Sequence, residues 1–242
     1  MRMDATPSAE PVLYDKRGCI AEVALNRPER LNAYDTGMRD SLYETLTAVR
    51  DDPDVHVMIL FGNGPAFSTG GDLAEFGTAP SPTAARAIRW QRDVWGTLWN
   101  LPQITVAAVH GHVVGGGMEM MLLCDQCVAA VGTRMSLPES GLGMIPGVAG
   151  TQTLPRAVGT GWALDLVLSG RTIDARQARD LGIVQHLTAD SEVLRTARRL
   201  AARIARISPP LLRSSKRLVN DGLDYEIAAG LRRERQLARI DT

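Results

Sequence analysis

Two glutamates beside glycine-rich bends, Glu119 and Glu139, are the residues in this chain best suited to chemistry. Glu119 closes the run Val113-Val114-Gly115-Gly116-Gly117-Met118-Glu119, after the apolar stretch Ile104 to Val109. Glu139 lies in Leu137-Pro138-Glu139-Ser140-Gly141-Leu142-Gly143, which reads on to Thr151-Gln152. Glycine has no Cβ, so a triple glycine lets backbone approach a ligand closely. A helix starting there turns its free N–H groups and positive dipole end toward whatever binds. Glu119 is three residues past Gly116 and so shares its helix face. An amide donor and a titratable carboxylate then converge, an arrangement suited to a thioester or similar carbonyl whose oxygen gains negative charge. Two glutamates can divide acid and base roles where their surroundings separate their pKa values. The plainer reading makes Glu119 a surface helix residue and Glu139 a loop residue. On the residues alone, the two readings stand level.

Better-known glycine and metal motifs do not fit. A phosphate loop needs a lysine and a hydroxyl residue after its last glycine, and here Met118-Glu119 follow. Gly141-Leu142-Gly143-Met144-Ile145-Pro146 starts like a dinucleotide fingerprint but carries proline where the third glycine belongs. There is no Gly-x-Ser-x-Gly elbow. No His-Glu-x-x-His or equivalent metal set occurs, and His110 and His112 read as packing residues at a strand end. Cys124 and Cys127 have redox or half-zinc spacing without a second pair, so they read as buried structural thiols in a reducing cytoplasm.

With 27 Lys+Arg against 27 Asp+Glu, the formal net charge is zero, which argues against a nucleic-acid partner. Arg232, Arg233 and Arg235 are interleaved with acids and read as a solvated helix face. Residues 1–10 lack an apolar core and read as a flexible tail, not a signal peptide. The apolar runs are too short to span a bilayer. The 242 residues suffice for one large domain or two small ones.

The elements that must position the glutamates follow from periodicity. Val12 to Tyr14 and Cys19 to Leu25 flank Asp15-Lys16-Arg17-Gly18 as a hairpin. Met38, Leu42, Leu46 and Val49 mark a helix after Asp35. Val55 to Phe61, Ile104 to Val109 and Val128 to Val131 read as strands, and Ala84 to Leu98 as a helix. Trp90, Trp95 and Trp99 on or beside that helix read as core packing. Asp72 leads into a short helix after Ser68-Thr69-Gly70-Gly71. Strands concentrate before about residue 140 and helices after it. Strands without polar alternation among helices imply an α/β core with a covered sheet, residues 11–189, followed by a helical region, residues 190–242.

These residues also resemble the enoyl-CoA hydratase/isomerase (crotonase) family, in an ordered series of motifs. The series runs from Leu25-Asn26-Arg27-Pro28 and Leu31-Asn32-Ala33 through Ala66-Phe67-Ser68-Thr69-Gly70-Gly71-Asp72-Leu73 to Gly115-Gly116-Gly117-Met118-Glu119. It continues through Pro138-Glu139, Ile145-Pro146-Gly147 and Gly150-Thr151-Gln152 to Leu168-Ser169-Gly170. The resemblance implies a crotonase-like spiral of ββα units with a helical C-terminal trimerisation region, assembled as homotrimers or dimers of trimers. It implies an acyl-CoA thioester ligand, with coenzyme A part of the substrate and no metal or other cofactor. The amides of Gly71 and Gly116 match the family's oxyanion pair, and Glu119 and Glu139 match the two carboxylates of its hydratases. Ala33, Thr69 and Leu73 match positions near the CoA moiety, with Arg30 within reach of its phosphates. The implied reaction is reversible syn hydration of trans-2-enoyl-CoA to 3-hydroxyacyl-CoA. An isomerase, or a dehydratase, decarboxylase or hydrolase of the family, is the alternative, and a non-catalytic acyl-CoA or RNA-binding relative is disfavoured by both retained glutamates. Two departures stand out: Thr153 follows Gln152 where hydratases commonly carry arginine, and the family pattern leads us to expect a further helical segment past Thr242.

Overall fold

The computed structural model describes residues 10–81, 83 and 91–238. Strand β1 (Val12–Arg17) turns tightly at Gly18-Cys19 into β2 (Ile20–Leu25), its antiparallel neighbour. Residue pattern alone predicts a first strand that ends at Tyr14. The strand continues through Asp15-Lys16-Arg17 because it is a sheet edge with those side chains in solvent, where Lys16 meets Asp52 at 2.7 Å. Strands β3 (Val57–Gly62), β4 (Ile104–Val109), β6 (Gln126–Ala130) and β9 (His186–Thr188) extend the sheet in parallel, in the order β1-β2-β3-β4-β6-β9. Strand β4 coincides with its expected range.

Alternate residues of one strand face two different cores. Met58 and Leu60 of β3 join Met38, Leu42, Leu46 and Val49, the buried stripe of helix α1 (Thr36–Asp51). Asp35 caps that helix by accepting from Met38 N–H at 2.8 Å, a device that satisfies one of the free amides of a helix start. Val57 and Ile59 face the other way, onto Val193, Ala197, Leu200 and Ala201 of helix α7 (Val193–Ile204). Burial on both faces is why these strands read as unbroken apolar runs.

The remaining elements build the spiral. Chain leaving β4 passes directly into β5 (His112–Val114), then helix α3 (Gly116–Leu122); chain leaving β6 passes into β7 (Arg134–Ser136). Strands β5 and β7 pair in parallel in a small second sheet, which β8 (Ile173–Asp174) closes antiparallel to β7. Earlier turns stack on it by single parallel bridges, Ser68 with Val113 and Tyr34 with Gly71. Each turn thus gives one strand to the large sheet and one extended segment to the small one. Helices α2 (Val94–Trp99), α4 (Gly150–Val158), α5 (Thr160–Ser169) and α6 (Ala175–Asp180) complete this part. Strands concentrate before residue 140 as expected, and the short β8 and β9 are the two that lie beyond it.

Helices α8 (Pro209–Gly222) and α9 (Ile227–Leu237) follow α7. Lys216 of α8 ties them to the sheet: its Nζ lies 2.7 Å from Asp125 Oδ2 and donates to Gln103 O at 3.0 Å. Asp125 also accepts from Thr105 N–H and Oγ1–H, at 2.8 and 3.0 Å. The lysine and aspartate side chains are 8% and 18% exposed, so removing the lysine leaves a largely shielded carboxylate without its counter-charge. Lys216→Met is therefore expected to cost about 3 kcal/mol, the low end for breaking a buried pair, read as a lower urea midpoint at unchanged slope.

Candidate active site

The bridge between Tyr34 and Gly71 turns the Gly71 amide outward. Tyr34 N–H donates to Gly70 O at 2.8 Å and Asp72 N–H donates to Tyr34 O at 2.9 Å. In a parallel pair the residue between two such bonds directs its own N–H to the opposite edge, so Gly71 N–H points away from Tyr34's strand. Gly116 N–H opens helix α3, where no intrahelical acceptor exists. Its neighbours' bonds pass it by: Gly115 N–H donates to Ser136 O at 2.9 Å, and Glu119 N–H to Gly115 O at 3.0 Å. Gly70, next to Gly71, meets Gly116 closely: a Cβ at Gly70, whose φ is +86°, would lie 2.9 Å from Gly116 N. Only glycine fits there.

Buried polar groups fix the loops that carry them. Asn32 is fully buried; its Nδ2 donates to Asn63 O and Ala66 O at 2.9 and 2.8 Å, and its Oδ1 accepts from Arg27 N–H at 2.8 Å. Ser68 Oγ–H donates to Asn32 O at 2.8 Å and accepts from Gly70 N–H at 3.1 Å. Asn32 appears in the sequence only as part of a motif. Its work is tertiary, and a polar residue 0% exposed is its only signal.

Both glutamates lie against the start of α3. Glu119 is 1% exposed, and its Oε1 accepts from Val148 N–H and Gly150 N–H at 2.8 and 2.7 Å. Ala149 between those donors holds φ at +120°, a conformation costing a non-glycine residue of the order of 1–3 kcal/mol. Glu139 opens a 3-10 turn, Glu139–Leu142, and reaches back over Gly115, where an added Cβ would sit 2.8 Å from its Oε1. Its Oε2 is buried without a hydrogen-bond partner among the described residues. Burial, and then the charge of Glu119, raise the Glu139 pKa above the ordinary carboxylate value. The surroundings thus differ: two amides grip the buried Glu119 carboxylate, whereas Glu139 keeps a buried oxygen without a partner among the described residues.

A cavity of about 370 Å³ opens beside Gly71, lined by Tyr34, Arg39, Phe76 and Trp95 among others. Neither glutamate lines it. Trp95 is shared with a second cavity of about 340 Å³ lined by Val148 and Ala149, where Glu119's donors lie, and by Trp99. Trp95 is thus a partition between the two; Trp90 falls outside the described residues. Ala33 is buried, with its carbonyl accepting from Arg27 Nη1–H at 2.6 Å; Arg30 is exposed, Leu73 is 64% exposed, and Thr69 is half-buried. None of these four lines either cavity. Burial raises the thiol pKa of Cys124 to about 12 and that of Cys127 further, which makes both inert at neutral pH. Among the described residues no group of three or more His, Cys, Asp and Glu is placed to hold a metal ion.

The sequence family model for enoyl-CoA hydratase/isomerase matches residues 15–240. The chain belongs to the enoyl-CoA hydratase/isomerase family. It is 34% identical over 228 residues to a probable enoyl-CoA hydratase of Mycobacterium bovis, covering 94% of this chain and 88% of that protein. The crystal structure of enoyl-CoA hydratase from Bacillus anthracis superposes with a TM-score of 0.90 at 30% identity, covering 96% of this chain and 92% of that one. A putative enoyl-CoA hydratase from Thermobifida fusca YX, solved in complex with CoA, gives 0.89 at 29% identity, covering 96% and 93%. The stacked strands and bridges are accordingly those of the crotonase fold, and the chain is an enzyme of the hydratase/isomerase family.

Proposed function

We propose that this enzyme hydrates trans-2-enoyl-CoA to 3-hydroxyacyl-CoA, reversibly. The observation that carries the reading is the pairing of an amide-gripped glutamate with a desolvated one at the glycine bends. Gly71 and Gly116 polarise the thioester carbonyl and hold the charge that forms on its oxygen. Glu119, its Oε1 fixed by two N–H donors, takes a proton from water as the water oxygen bonds to C3. Glu139 delivers a proton to C2, and its raised pKa suits an acid that must stay protonated. Isomerisation needs only one carboxylate to shuttle a proton, so it leaves Glu139's buried, unpaired oxygen without a task.

Coenzyme A enters as part of the substrate, and the chemistry requires no resident cofactor or metal. The CoA bound to the Thermobifida relative supports an acyl-CoA ligand here. Ala33, Thr69, Leu73 and Arg30 are proposed to border its CoA portion. A homotrimer, single or paired, would cover apolar surface such as Ile145, Trp162, Leu168 and Ile227, each more than half exposed. No helix among the described residues is long and apolar enough to cross a membrane, and the free cysteines suit a reducing cytoplasm.

The test is loss of conjugated-thioester absorbance when purified protein is mixed with crotonyl-CoA, read across pH. The kcat profile is expected to be bell-shaped. Its alkaline limb falls as rising pH deprotonates Glu139, whose pKa lies above 4.5, the value of an unperturbed glutamate. Turnover of a 3-enoyl-CoA without hydration of crotonyl-CoA would make it an isomerase.

A further inference from the structure

Tyr34 touches both glycines of the site. Its backbone bonds to Gly70 and Asp72 turn Gly71 N–H outward, as described above. Its side chain lies over Gly116: a Cβ built there would collide with the hydroxyl and come within 2.8 Å of Cε1 and 3.0 Å of Cζ. Trp95 packs edge-on against the ring, centroids 5.1 Å apart at 60°. Tyr34 and Gly71 line the same cavity of about 370 Å³. Phe76, which covers Gly71 as Tyr34 covers Gly116, sits 3.1 Å from a Cβ at Gly71 and carries no donor. Of the two aromatic covers, only the phenol brings a polar hydrogen to the place where thioester oxygen must lie.

We propose that Tyr34 is a further catalytic residue, its phenol O–H donating a third hydrogen bond to the thioester oxygen. The inference rests on the acyl-CoA reading above. As the water oxygen bonds to C3 and Glu119 takes its proton, the C2=C3 pair shifts to C1–C2 and the carbonyl pair moves onto oxygen. Tyr34 keeps its proton and shares it with that oxygen until Glu139 protonates C2 and the carbonyl reforms. A tyrosine donor of this kind polarises the bound carbonyl and strengthens as charge grows on its oxygen during reaction, so its main effect belongs to kcat.

Tyr34→Phe keeps the ring and its contact with Trp95 and removes a single O–H. With crotonyl-CoA, kcat is expected to fall by about 10-fold or more while KM stays within about twofold. Hexa-2,4-dienoyl-CoA supplies a readout without turnover, because its absorbance moves to the red when a bound carbonyl is polarised. In a Glu139→Gln background that slows addition, Tyr34→Phe is expected to shrink that red shift. Unchanged kcat and an unchanged red shift overturn the proposal, and so does a change confined to KM, the sign of a packing role. Failure of wild-type protein to hydrate crotonyl-CoA would sink the hydratase reading instead, and the red shift would still decide Tyr34.

Discussion

Glu119→Gln and Glu139→Gln are each expected to lower the rate of crotonyl-CoA hydration by well over ~10²-fold while leaving the protein folded. A glutamine at 119 retains a carbonyl oxygen for Val148 N–H and Gly150 N–H, so the strained turn at Ala149 keeps its anchor. What it loses is the lone pair that takes the water proton. A glutamine at 139 fills the same buried space but has no acidic proton to give. Stability separates the two variants further. Glu139 has a folded pKa above its unfolded one, so protonated and ionised forms cost the fold differently. Below about pH 4, Glu139 is protonated in both states and the fold bears no penalty. As pH rises past the unfolded value and through the folded one, the unfolded state sheds its proton first, and the native state loses stability. Glu139→Gln removes that loss, so its Tm relative to wild type should be higher at pH 7 than at pH 4. Hydration unaffected by both substitutions would sink the mechanism; a Tm difference independent of pH would show that burial does not perturb Glu139.

Local signals were the readable ones. Ile104 to Val109 is apolar at five of its six positions because both sheet faces are covered, and the strand matches it residue for residue. The α1 stripe was legible for the same reason at period 3.6. Strands β8 and β9 were not, since two or three residues such as His186-Leu187-Thr188 carry no period and form only because a neighbour offers an edge. Glu119, Glu139, Gly71 and Gly116 were picked out by type and spacing, and Glu119, Glu139 and Gly116 prove to share one end of α3. The residues that set their environment act through backbone or distant packing. Val148 and Gly150 contribute amides, which any residue but proline has. Ala149 contributes a φ angle that its identity argues against. Tyr34 stands just past the Leu31-Asn32-Ala33 motif and carries no signal of its own, because its task depends on folding back onto a glycine 82 positions away, a contact no periodicity encodes.

Gly116→Ala should abolish most activity without harming the fold, and its neighbour supplies the contrast. Gly116 needs no positive φ, and alanine is the better helix former at the first residues of α3. The added methyl meets only the outer atoms of the Tyr34 ring, which can swing aside. It then stands over the amide proposed to hold the thioester oxygen. Losing one oxyanion donor costs ~10²–10³ in kcat, and that is the drop expected with crotonyl-CoA, with Tm unchanged to within a few degrees. Gly117→Ala drives its methyl into the Ser68 carbonyl, with Ser68 C and Cβ each 2.9 Å away. Backbone held by the Ser68–Val113 bridge has no rotamer to escape into, so that variant should lose stability outright. Adjacent glycines thus separate two demands of the spiral: one keeps a donor open, the other lets two turns of chain touch. Full hydration by Gly116→Ala would show that the Gly116 amide takes no part, and a Tm loss as large as that of Gly117→Ala would show that its glycine serves packing instead.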